Sequence, residues 1–229
     1  MYSNHKISYK QRSEYCHLGE KFSMDVVKKT FDKWAKIGRD ELMEREHTKA
    51  VSKFLESISF DKDFSFLDIG CGNGWLVRKI SKIKTCKKAV GIDKSKFMIK
   101  NAISKKKTVK EYYIQSDIES WNYKGKFDFI FSMESLYYSE SLEKALAKIF
   151  KLLKPSGKFF CGTDFYKDNK ATVRWSKQMK VPMHLRSKSE WIKLFKDVGF
   201  KTKTRQVKDP KNRKKWKREF GTLFIIGAK

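Results

Sequence analysis

An α/β fold built on a mostly parallel sheet, with helices on both faces, is what this sequence predicts, and three observations carry the prediction. Short apolar runs alternate with stretches of helical periodicity along most of the chain. One run ends in a glycine-rich turn that opens directly into a helix. The third is size: 229 residues, 40% hydrophobic and 14% aromatic, can bury one large core, which excludes intrinsic disorder and linker-dominated architecture.

The elements follow in order. Over 22–58 apolar residues recur at helical spacing with a break near Gly38, predicting two helices; Met43, His47, Ala50, Val51, Phe54 and Ile58 share one face of the second. Phe64–Ile69 reads as a strand, and 75–83 returns to helical spacing after the glycines. Residues 89–92 predict a strand, 95–106 a helix, 112–114 and 127–131 two more strands, and 142–153 a helix. Pro155-Ser156-Gly157 marks a turn before a fifth strand at 158–163, and Lys188–Val198 is a helix closed by Gly199. Residues 200–207 and 219–228 flank a polar turn, 208–218, as an antiparallel hairpin. The connection 164–187 is longer than compact domains usually allow, with Pro182 as its breaker, so it is expected to wall the substrate side. The expected division is an N-terminal helical cap segment, 1–60, on a main domain, 61–229.

Composition narrows the function classes. No stretch approaches the ~18–20 apolar residues of a membrane helix, and residues 1–20 are polar without an apolar signal core, so the cytoplasm is the expected setting. Cys16, Cys71, Cys86 and Cys161 are widely spaced, suggesting free thiols and neither a disulfide framework nor a metal site. Net charge is +27, but 44 of the 53 basic residues are Lys, the less suited of the two for bidentate phosphate recognition. Two basic runs stand out: 13 basic residues against Asp93 alone over 78–110, and 10 against Asp209 alone over 201–218.

The chemistry concentrates in Phe66-Leu67-Asp68-Ile69-Gly70-Cys71-Gly72-Asn73-Gly74: an apolar strand, an acid, then G-x-G-x-G opening a helix. The glycines permit a tight turn and close approach of a ligand. A dinucleotide loop has its third glycine one residue later, and Asp68 would repel a pyrophosphate while attracting the ammonium of an amino acid. Asp93 ends the second strand, where an acid can take both hydroxyls of a ribose, and Asp117 follows the third, where it can accept from an adenine amino group. Taken singly, each of these two has a helix N-cap as its alternative reading.

With these residues the chain resembles the class I S-adenosylmethionine-dependent methyltransferases, of the small-molecule type related to the ubiquinone pathway, over 21–229. The resemblance implies a Rossmann-like seven-stranded sheet of order 3-2-1-4-5-7-6 with the last strand antiparallel. It implies S-adenosylmethionine as cofactor, held at Asp68, Gly70, Cys71, Gly72 and Gly74, at Asp93 and Lys94, and at Asp117 and Ile118. It also places Ser132, Met133 and Glu134, after the fourth strand, near the methyl group. Leu153-Lys154-Pro155-Ser156-Gly157 looks like the family's turn before strand five, with Ser at 156 where Gly is usual.

On the acceptor side, methyl transfer from a sulfonium is an in-line displacement that needs positioning and dryness, and a base only if the acceptor must lose a proton. Glu134, Tyr137, Asp164 and His184 are the candidate catalytic residues, with Tyr138, Tyr166 and His47 as further candidates. Capping for Glu134 and Asp164, and core packing for Tyr137, Tyr138 and His47, are the competing readings. Trp34, Gly38 and Arg39 are expected over the cofactor, and Trp175, Met179, Met183 and His184 as an acceptor wall, with packing an equal account. The expected acceptor is an oxygen or nitrogen of a small molecule. Transfer or ribosomal RNA, recruited by the basic turn with Trp216, is the alternative, and a non-catalytic binding module the second alternative.

Overall fold

The computed structural model describes residues 24–229, and its element order follows the predicted alternation: α1 (Met24–Lys36), α2 (Arg39–Leu55), β1 (Phe64–Ile69), α3 (Trp75–Ser81), β2 (Cys86–Asp93), α4 (Lys96–Ser104), β3 (Glu111–Gln115), β4 (Phe127–Met133), a 3-10 turn (Leu136–Tyr138), α5 (Leu142–Leu152), β5 (Leu153–Thr163), α6 (Trp175–Met179), α7 (Lys188–Val198), β6 (Lys201–Val207), α8 (Lys215–Glu219) and β7 (Thr222–Ala228). Cys16 and the predicted helix start at Phe22 lie outside the described residues. Cys71, Cys86 and Cys161 are buried free thiols. No helix of the described residues is long and apolar enough to cross a membrane.

The seven strands form one sheet of order β3-β2-β1-β4-β5-β7-β6. From β3 to β5 neighbours run parallel, and β7 is antiparallel to both β5 and β6. Helices cover both faces, which is why β1 and β4 are apolar almost throughout. Leu67, Ile130 and Phe159 pack with Leu146 and Ile149 of α5 and with Trp191 and Phe195 of α7. Phe66, Phe131, Phe160 and Phe224 pack on the opposite face with Leu76 and Ile80 of α3 and with Phe54 of α2. Phe54 stacks on Phe224 with ring centroids 4.0 Å apart, so the far end of α2 belongs to the core of the main domain.

Four local expectations are corrected. The 155–157 turn lies within β5: Leu153 pairs with Phe127 and Lys158 with Phe129, and the residues between bulge out, Ser156 taking φ 64 where a glycine would be unstrained. The 164–187 connection contains α6, and the 208–218 turn leads into α8, so β7 begins at Thr222 rather than at 219. Both helices are five residues long, too short for periodicity to register. Finally, β2 starts at Cys86, three residues before its predicted start.

Candidate active site

The carboxyl ends of β1, β2 and β4 open on a cleft of about 1070 Å³, mouth included, which α1 and α2 roof. The backbone at the glycines builds it. Gly70, Gly72 and Gly74 take φ of 69, 54 and 75, which side-chain-bearing residues adopt only under strain. A Cβ on Gly70 would overlap the Ser135 side chain, and one on Gly74 would run into the Tyr113 ring, whereas Gly72 faces open space. Gly70 thus lets the turn after β4 close onto the turn after β1, and Gly74 serves helix packing rather than the cleft wall.

The floor is acidic. Asp68 is buried and lines the cleft, yet among the described residues no donor reaches its carboxyl. Burial, and then the charge of Asp93, push its pKa well above the usual carboxylate range. Asp93 accepts from the backbone N–H of Gly72 at 3.0 Å and of Ser95 at 2.8 Å; burial outweighs both bonds and lifts it to about 6. Asp117 accepts from the N–H of Glu119 and of Ser120, both at 2.9 Å, so its capping reading holds in part, and these bonds keep its pKa low against partial burial. It still lines the cleft, with Ile118 beside it and Lys94 Nζ 3.9 Å from its Oδ2.

Cys71 and Met133 line the cleft as well, whereas Ser132 lies behind it, buried and with no partner for its hydroxyl among the described residues. Burial pushes the Cys71 thiol well up, leaving it a packing group. The roof differs from expectation. Val27, Lys28 and Phe31 of α1 face the cleft, while Trp34 stacks with Arg39 at 4.0 Å and neither they nor Gly38 line it.

At the acceptor end the structure joins residues far apart in sequence. Glu134 and His47 both line the cleft, and with Asp164 they bring three ligand-capable atoms within 4.8 Å of one another. Glu134 has φ 52, an outlier for a non-glycine residue, fixed by its N–H bonding the Gly162 carbonyl at 3.0 Å. Its carboxyl accepts from the Asp164 N–H and, at 2.9 Å, from the Tyr137 hydroxyl. Burial first and Asp164 second push Glu134 up to about 8. Burial lowers His47 to about 4, which leaves the imidazole neutral at physiological pH. Asp164 sits behind them, accepting from Thr222 Oγ1 at 2.6 Å.

Lys217 completes the cluster. It comes from the run read as a solvated turn, yet it is buried: it donates to the Glu46 carbonyl at 2.8 Å and lies 3.5 Å from Asp164 Oδ2. Its ammonium already supplies a positive charge to the carboxyl pair. Asp209–Lys49 at 2.6 Å and Lys214–Glu46 at 2.8 Å tie the same connection to α2. His47 is thus buried and also lines the cleft, and Lys217 escaped the sequence altogether: nothing in a basic run distinguishes the lysine that turns inward.

Of the remaining candidates Tyr138 lines the cleft, whereas Tyr137, His184 and Tyr166 stand back from it. Tyr137 reaches it only through Glu134, and burial pushes its hydroxyl pKa well up. His184 Nε2 is 2.9 Å from the Ser139 carbonyl and its N–H bonds the Tyr137 carbonyl, pinning the long connection to the turn after β4. Met183 packs in the core and the half-buried Trp175 and Met179 pack against it, and none of the three lines the cleft as an acceptor wall. Tyr166 bonds Gln206 at 3.0 Å and is likewise structural.

The methyltransferase-domain family matches residues 39–204, and the chain belongs to it. Fold and match together make it a class I S-adenosylmethionine-dependent methyltransferase. Among curated relatives, the malonyl-[acyl-carrier protein] O-methyltransferase of Priestia megaterium is 29% identical over 136 residues, 59% of this chain and 47% of the relative. A sterol 24-C-methyltransferase of Schizosaccharomyces pombe is 29% identical over 98 residues, 41% of this chain and 26% of that one. The chain therefore spans half or less of the length of these relatives. A chain of the complex between the Haloferax volcanii Trm112 methyltransferase activator and a methyltransferase superposes with TM-score 0.82 at 25% identity, over 86% of this chain and 96% of its own. The N-methyltransferase NodS of Bradyrhizobium japonicum, solved with S-adenosyl-L-homocysteine, shares the fold at TM-score 0.63 and 19% identity, over 91% of this chain and 98% of that one.

Proposed function

We propose that this chain transfers the methyl group of S-adenosylmethionine to an oxygen or nitrogen of a small-molecule acceptor. One observation carries the reading. In a chain of net charge +27, the cleft floor holds a buried carboxyl, Asp68, with no donor among the described residues, as a cationic methionine moiety requires. Bound there, the cofactor supplies a methyl group on a positively charged sulfur. Asp68, Gly70, Cys71 and Gly72 would hold its methionine part, Asp93 and Lys94 the ribose, and Asp117 and Ile118 the adenine. Met133 bounds the methyl end, while Gly74 and Ser132 support the cradle from behind.

His47 accepts the proton of the acceptor, and the Glu134–Asp164 pair stabilises the imidazolium that results. Tyr137 positions Glu134, and His184 positions the segment that carries Asp164. Within the 1–60 segment α1 and the start of α2 act as the cap over the 61–229 domain, while the rest of α2 lends His47 to the site and Phe54 to the core. The sterol named for the Schizosaccharomyces pombe relative supports a small-molecule substrate, as does the way α2 takes up Lys214 and Lys217 of the basic β6–β7 connection. The Haloferax volcanii complex supports a second element of the reading, that this chain works with a protein activator of that kind.

Calorimetry with S-adenosylmethionine tests the cofactor assignments. Losing a bond to a charged group costs about 1.5–3 kcal/mol, so Asp68→Asn should weaken binding by roughly 10- to 150-fold. Asp93→Ala should weaken it comparably, and wild-type affinity in either variant would refute that residue's role.

A further inference from the structure

The cleft carries more negative charge than its cofactor accounts for. In a chain of net charge +27, seven carboxylates among the described residues line it against two ammonium groups, Lys28 and Lys94. Both are already engaged, Lys28 with Asp32 at 2.7 Å and Lys94 with Asp117 at 3.9 Å. Bound S-adenosylmethionine would add one net positive charge, a sulfonium and an ammonium against a carboxylate, and would take Asp68, Asp93 and Asp117. Glu119 is used by the N–H groups of Glu140 and Ser141, at 3.0 and 2.9 Å. Asp40, Glu44 and Glu134 are left over. Asp40, Met43, Glu44 and His47 form one stripe of α2 along the cleft, with Glu44 about 4.5 Å and Asp40 about 10.5 Å of helix rise before His47. Glu134 stands on the far side of His47, their ligand-capable atoms within 4.8 Å. Arg78, 3.7 Å from Glu44, and Lys105, 3.9 Å from Asp40, offset only part of this charge. Asp40 is 3% exposed; its Oδ2 accepts from Asn101 at 3.2 Å and its Oδ1 has no partner among the described residues. A buried carboxyl oxygen without a donor costs free energy until a ligand supplies one. Phe31 and Tyr138 line the same cleft as an edge-to-face pair with centroids 5.2 Å apart, and aromatic faces attract cations.

We infer that the acceptor is a small organic cation, an amine or guanidine whose positive group lies about 5 Å from the oxygen or nitrogen that receives the methyl. The reacting atom stands at His47, and Glu44 and Glu134, which flank His47, hold the positive group. This assignment deepens the small-molecule reading above and rests on it. An acceptor bearing phosphate or carboxylate, RNA included, would set negative charge against Glu44 and Glu134 in a desolvated cleft, where repulsion between like charges is strongest. The lysine-rich exterior does not reverse the preference. Charges on the surface are screened over about 8 Å at physiological salt, so the wall of the cleft decides what enters it.

The test incubates the full chain with methyl-tritiated S-adenosylmethionine and a small-molecule extract, freed of protein and nucleic acid and split by ion exchange into cationic, neutral and anionic fractions. Label is expected in the cationic fraction. For the labelled compound kcat/KM should fall as salt rises from about 50 to about 500 mM, because the attraction is screened. Glu44→Gln, which keeps an oxygen for Asn73, should raise KM about tenfold while kcat and S-adenosylmethionine affinity stay within about twofold. Glu41→Gln, on the same helix with its side chain 55% exposed, should change none of the three. Label confined to the neutral or anionic fraction would overturn the cation and leave the small-molecule reading standing. So would a KM that Glu44→Gln does not move, or a loss of cofactor affinity in that variant, which would give Glu44 to the cofactor. Label in total RNA and in none of the three fractions would remove the small-molecule reading and the cationic acceptor with it. No label anywhere, with S-adenosylmethionine still bound in calorimetry, would remove both and leave a non-catalytic binding module.

Discussion

His47→Asn should lower turnover by ~10²–10⁴-fold, the usual contribution of a positioned general base, while S-adenosylmethionine affinity stays within about twofold. The expectation follows from where α2 puts the ring: on the cleft wall beside Glu134 and Asp164, desolvated and therefore neutral. Because burial lowers its pKa to about 4, wild-type turnover should hold as pH falls through 6 and fail only near 4, and the variant should lack that acidic limb. Stability follows the same sign. A folded-state pKa below the unfolded value means the contribution of His47 is complete above about 6.5 and is lost as pH falls through about 4. Glu134 supplies an independent readout. Glu134→Gln keeps the shape and removes the ionisation near 8, so the alkaline inflection of the rate profile should vanish while turnover drops no more than about tenfold. An unchanged pH profile in both variants, measured as kcat/KM from pH 4 to 9, would move proton transfer elsewhere.

How much of this could be read from residues alone follows from how far each interaction reaches along the chain. The glycine-turn half of the cleft was legible because its parts are local: a strand, an acid and three glycines within nine residues, then acids at or just past the ends of the next two strands. The acceptor half is not local. His47, Glu134, Asp164 and Lys217 lie on four segments that meet only through the strand order and the antiparallel return of β7. The helical stripe that exposed His47 to view also disguised it as core, since periodicity says which face is covered and not whether a cavity lies beneath. One signal was available for Glu134. Glu134 and Ser135 follow directly on an apolar strand, ahead of Leu136 and a tyrosine pair, and that break in apolar character coincides with the positive φ the structure shows at Glu134.

Lys217 is where sequence and structure disagree most, and its removal should have a large effect on stability. Lys217→Met keeps the length of the side chain and deletes the ammonium 3.5 Å from Asp164 Oδ2, which stands behind Glu134. Breaking a buried ion pair by deleting one partner typically costs 3–5 kcal/mol, because the charge left behind is neither solvated nor compensated. For a chain of this size each kcal/mol moves the midpoint by about 2–4 °C, so a fall of roughly 10 °C is expected in a thermal melt. The pH dependence identifies the cause. A carboxyl whose pKa is raised by folding stabilises the protein fully below its unfolded value and loses that contribution as pH rises through its folded value, here about 8 for Glu134. Lys217 is among the charges that hold Glu134 down, so the deficit of the variant should widen between pH 5 and 9. Lys215→Met, two residues away with its side chain 77% exposed, should shift stability by no more than about 0.5 kcal/mol at any pH. If both variants melt alike across that range, the ammonium of Lys217 carries no structural charge balance, and the buried carboxyl pair is stabilised by its hydrogen bonds to Tyr137 and Thr222 instead.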